Sequence, residues 1–130
     1  MVTRFQAGAV LYAKDIARVE AFYRVVLGLD VAHAENDYVV LASPAFQLII
    51  HRPAEQIAAS IEIENPPRRR SETAIKLVFE VASLSQARAA AALNGGALLE
   101  PEREWDFQGY RVCDGLDPEG NVVQFRQPPN

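Results

Sequence analysis

Two stretches of this chain carry the same order of secondary-structure signals, and that duplication limits the fold more than any single motif does. The first opens with a strand over 6–13 and turns at Lys14-Asp15. A helix follows, with Asp15 as N-cap and Ile16, Val19, Tyr23, Val26 and Leu27 on one apolar stripe of helical period. Gly28 ends it as a C′ residue. Three strands fit 29–32, 38–42 and 46–52, separated by Glu35-Asn36-Asp37 and Ser43-Pro44.

The second stretch repeats the plan. A strand over 75–81 leads to Ser83, which with Gln86 has the capping-box pattern. An alanine-rich helix runs to Leu93 and stops at Asn94-Gly95-Gly96. Strands then fit 97–100, 110–114 and 122–127, with Trp105, Phe107 and Tyr110 clustered around a loop before the second of them. A period of roughly 65 residues is too long for a solenoid. Each half is one sheet with one helix, too little to bury a core alone, so the halves must pair. The predicted class is α+β: two paired βαβββ modules forming a half-barrel around a cleft. We expect one domain over 1–130, with module one at about 5–52, a polar linker at 53–73 and module two at about 74–127.

Bulk properties exclude several roles. The 130 residues are 49% hydrophobic and 23% charged, a globular mixture, and the net charge is −4. That balance argues against nucleic acid, which needs a basic surface. Arg68-Arg69-Arg70 reads as a solvated part of the linker. Cys113 is alone, so no internal disulfide forms, and its strand context makes it a small core residue. No apolar stretch approaches the length of a membrane span, and Lys14 and Asp15 break the first apolar run. A cytoplasmic location with no membrane partner is expected.

Asp117-Pro118-Glu119-Gly120-Asn121 combines a capping carboxylate, a preset φ and residues tolerant of positive φ, and it feeds the strand that carries Gln124. Together with Leu11-Tyr12-Ala13-Lys14-Asp15, Phe22-Tyr23 with Leu27-Gly28-Leu29, and Asn94-Gly95-Gly96, it resembles the glyoxalase/bleomycin-resistance/extradiol-dioxygenase (vicinal oxygen chelate) superfamily over nearly the whole chain. The resemblance implies a cleft, a common homodimer, and four metal-ligand positions. Aligned on Asp15, these fall at Gly8, Gln47, Lys76 and Gln124, where metal-dependent members present His or Glu. Glycine has no donor, an amide is a poor replacement for a carboxylate, and an ammonium repels a cation, so no metal and no cofactor is expected.

Alternation along the strands puts Tyr12, Gln47, Lys76 and Gln124 on the face away from the helices. With Trp105 and Tyr110, which can stack on a planar ligand, they form the predicted ligand-binding set. No catalytic residue is assigned, because Lys76 has no partner base identifiable from sequence. The expectation is a metal-free binder of a small apolar or aromatic molecule. Two alternatives are a lyase or dioxygenase whose metal has moved to His51 and Glu80, and an interaction module whose cleft is vestigial.

Overall fold

The computed structural model describes residues 5–130. Module one is β1 (Ala7–Tyr12), α1 (Ile16–Leu27), β2 (Asp30–Ala34), β3 (Tyr38–Ser43) and β4 (Phe46–His51). Its sheet has the order β1-β4-β3-β2, with β1 parallel to β4 and the other pairs antiparallel. A short helix, α2 (Glu55–Ser60), occupies part of the stretch read as linker. Module two follows with β5 (Leu77–Glu80), α3 (Leu84–Leu93), β6 (Ala97–Leu98), β7 (Trp105–Phe107), β8 (Tyr110–Leu116) and β9 (Val122–Gln127). Its sheet runs β5-β9-β8-β6, again with the first strand parallel to the last, and β7 also pairs with β8. The described residues thus form two sheets and no closed barrel.

Local chemistry sets both main helices. Asp15 accepts a hydrogen bond from the Arg18 amide at 3.2 Å, and Ser83 Oγ accepts from the Gln86 amide at 3.1 Å. Gly28, at φ 67°, ends α1. The strand β7 is a departure from the expected loop. Gln108 and Gly109, at φ 53° and 82°, turn the chain within two residues, so Trp105–Phe107 lies back on β8 as a hairpin.

One apolar core spans both modules. Val19, Phe22 and Tyr23 of α1 join Leu48 and Ile50 of β4, Leu84 and Ala91 of α3, and Phe125 of β9. Phe79 of β5 meets Phe46 edge-on at 5.7 Å and lies 6.2 Å from Tyr23. Cys113 faces this core and is fully buried.

The Asp117–Asn121 turn ties module two to the start of α1. Asp117, fully buried, accepts from the Tyr23 hydroxyl, the amides of Glu119 and Asn121, and the Asn121 side chain, all within 3.0 Å. Glu119 reaches the other way and accepts from the amides of Lys14 and Asp15. Four backbone or side-chain donors around Asp117 and two around Glu119 leave neither buried carboxylate unpaired. The linker adds a strand-like rung, with the Arg70 amide donating to Gly120 O at 3.0 Å.

Candidate functional site

Residues directly opposite one another on paired strands share a face. On the second sheet one row runs Val78, Gln124, Asp114, and the next runs Glu80, Arg126, Val112, Trp105. Phe107 and Tyr110 form a further pair on that side. This face points away from α3 and gathers four of the six predicted contact residues: Lys76, Trp105, Tyr110 and Gln124.

The side chains there are interlocked. Lys76 Nζ lies 2.8 Å from Asp114 Oδ2, the Tyr110 hydroxyl donates to Glu80 at 3.0 Å, and Arg126 Nε donates to Gln124 Oε1 at 2.8 Å. Arg126 also sits over the Phe107 ring, 5.1 Å from its centroid. The Glu80 carboxylate, through that hydrogen bond and its charge, raises the Tyr110 phenol above its usual range. Val112 is completely buried yet lies outside the central core, so the face is folded enough to enclose a side chain of its own. Arg126 and Asp114 were missed as site residues, although period-two alternation from Gln124 would have found Arg126.

Tyr12 and Gln47 lie on the equivalent face of the first sheet. Tyr12 is opposite His51, with ring centroids 6.1 Å apart, and Tyr38 stacks on the other side of His51 at 5.7 Å and 8°. His51 Nδ1 is 2.6 Å from Arg52 O, so that nitrogen carries the proton and donates. Glu80 is on the other sheet, engaged by Tyr110. Among the described residues no three His, Cys, Asp or Glu side chains come together in a way that could hold a metal ion.

Between the sheets, β1 and β5 are edge strands that pair with neighbours on one side only. The seam left between them is a cavity of about 590 Å³. Gly8, Val10, Leu11, Leu77 and Val122 make it predominantly apolar, and Arg70 of the linker stands at its rim. It flanks both open faces: Gly8 is the register partner of Gln47, and Val122 is two residues from Gln124 on the same face.

The metal positions implied by the family resemblance can be tested on this geometry. Gly8 stands seven residues before the α1 cap Asp15, and Lys76 seven before the α3 cap Ser83. Gly8 pairs with Gln47, whereas extending the β5–β9 register by one residue places Lys76 across from Val122. The counterpart of Gln124 in the first sheet is therefore Ile49, and the two glutamines are not equivalent. With either first-sheet residue the set is a glycine, an amide or an alkyl group, an ammonium bound to Asp114, and an amide bound to Arg126. Such donors do not fit a divalent cation. Gly8 is further constrained, since a Cβ there would stand 2.8 Å from Gln47 O.

The sequence matches the family described as "Glyoxalase-like domain" over residues 8–125. No curated protein matches it. Among solved structures, a glyoxalase/bleomycin resistance protein/dioxygenase family enzyme from Burkholderia phytofirmans PsJN superposes with a TM-score of 0.70 at 18% identity, covering 95% of this chain and 98% of that one. A glyoxalase/bleomycin resistance protein from Albidiferax ferrireducens T118 gives 0.66 at 23% identity, covering 96% and 98%. TnmS3, an antibiotic binding protein from Streptomyces sp. CB03234, gives 0.61 at 18%, covering 98% and 97%. At these identities the likeness is one of fold.

Proposed function

The chain belongs to the glyoxalase-like domain family, and from that premise we propose that it binds a small apolar or aromatic molecule without a metal, in the seam cavity and against the open faces beside it. The observation that carries this reading is the cavity itself: about 590 Å³ with apolar walls, between the two modules. Tyr12 and Gln47 would contact the ligand from one side. Lys76, Gln124, Trp105 and Tyr110 would do so from the other, the last two by stacking. All six would touch the part of the ligand that lies over the open faces, since none of them lines the cavity itself. The neighbour TnmS3 supports the reading, because it is a protein of the same fold described as an antibiotic binding protein. The poor donor set at the family's metal positions supports binding without a cation.

Calorimetric titration with 1-naphthol, with and without a chelator, tests the proposal. Saturable binding that the chelator leaves unchanged, and that Ile75→Trp weakens by filling the exposed mouth, is the expected result. A stoichiometric transition metal in the purified protein, detected by plasma mass spectrometry and needed for binding, would overturn it. We also propose a cytoplasmic homodimer. Val10 and Tyr12 are 54% and 61% exposed on the open face of β1, and a second copy would cover them. Sedimentation equilibrium reads that directly. No helix among the described residues is long and apolar enough to cross a membrane.

A further inference from the structure

A second cavity, of about 450 Å³, lies at the far end of the second sheet's open face, between β6, β8 and the linker. It shares only Val122 with the seam cavity. Leu99, Leu116 and Val122 give it apolar walls, and Arg69 and Arg103 enter from the linker and from the turn Pro101–Arg103. Its acidic residue, Asp114, is bound to Lys76 at 2.8 Å. Neither Arg69 nor Arg103 has an ion pair or a side-chain hydrogen bond among the described residues. Glu100 and Glu102 flank Arg103 in sequence without pairing with it, and Glu104 is taken by Arg88 and Arg111. Arg69 and Arg103 therefore line an apolar chamber whose one carboxylate is paired with Lys76 through Oδ2, while its Oδ1 is buried without a partner.

We propose that this cavity binds a small organic acid, with the anionic group on Arg69 and Arg103 and the apolar body on Leu99, Leu116 and Val122. A guanidinium presents paired N–H donors that match a carboxylate, and charge-assisted hydrogen bonds are the stronger kind. Apolar walls of this extent exclude a purely inorganic anion as the best occupant. This site goes beyond the seam reading and, Val122 apart, stands on different residues.

The test compares 1-naphthoate with its neutral counterpart 1-naphthamide, by calorimetry and by leucine-methyl NMR. The expected result is that naphthoate binds tighter by about tenfold or more, shifts the Leu99 and Leu116 methyls, and loses its advantage in Arg69→Gln/Arg103→Gln. Both arginines are exposed, so that variant should melt as the parent does, and Arg69→Lys/Arg103→Lys should keep most of the preference. Equal binding of acid and amide would overturn the proposal. So would a preference that survives the glutamine pair, shifts confined to Leu11 and Leu77 at the seam, or displacement of naphthoate by equimolar inorganic phosphate. Shifts of Leu11 and Leu77 with the neutral amide report on the seam reading separately.

Discussion

Glu119 is only 4% exposed, and each of its oxygens accepts a backbone amide, Lys14 at 3.0 Å and Asp15 at 2.8 Å. Those amides precede the first turn of α1, so without the carboxylate they lose their partners at a crowded junction. Glu119→Ala should destabilise the protein by about 2–4 kcal/mol, and Glu119→Gln, which keeps one acceptor, by about half of that. Urea denaturation checks both. Tyr23 offers a pH-dependent measurement at the same junction. Burial first, and then the Asp117 charge and hydrogen bond, raise its phenol well above the usual value near 10. The unfolded chain releases that proton near pH 10 while the folded one keeps it, so the stabilisation is complete below about pH 10 and falls as pH rises further. The slope from this one group is at most about 1.4 kcal/mol per pH unit. Tyr23→Phe should be less stable at pH 8 by about 1 kcal/mol and should lose less between about pH 10 and 11 than the parent does.

The linker meets the Asp117–Asn121 turn at Gly120, where φ is +83° and an added Cβ would stand 2.0 Å from Arg68 O. Both the left-handed backbone and the close approach require glycine. Gly120→Ala should push residues 68–70 off the turn, break the Arg70 amide bond to Gly120, and lower stability by about 2–3 kcal/mol. Faster hydrogen exchange at the Arg70 amide would mark the detachment. The turn residues themselves were readable, because Asp, Pro, Gly and Asn act locally. So were the two capped helices and the core faces of β4 and β9, where Leu48, Ile50, Val123 and Phe125 recur at every second position. What the sequence concealed depended on distant partners. The β7–β8 hairpin needs Gln108 in a positive-φ state that glutamine rarely signals, and α2 has no side-chain cap. Of the four face-sharing residues of the second sheet, Lys76 and Gln124 followed from alternation and Trp105 and Tyr110 from their aromatic character, but the bonds they make to their neighbours did not. Which residue opposes Lys76, and that the apolar cavity lies at the seam, depend on the pairing register and on the separation of the edge strands.

At the level of the whole chain, the halves are joined by more than a linker. The core runs from α1 through β5 to α3, Phe46 and Tyr23 of the first half pack on Phe79 of the second, and Tyr23 and the start of α1 are bonded to Asp117 and Glu119. Each half by itself would present that apolar face to water and leave Asp117 or the α1 amides without their partners. The two modules should therefore unfold together, in one transition whose midpoint is the same by far-ultraviolet circular dichroism and by Trp105 fluorescence. Trp105 lies on β7 in module two, while the helical signal is shared between α1 of module one and α3 of module two. Independent unfolding of module one would therefore appear in the dichroism without a matching change in fluorescence. Separate transitions would mean that the Glu119 and Phe79 contacts do not couple the modules. Fragments 1–53 and 74–130 should each stay unfolded alone and regain helix only when mixed.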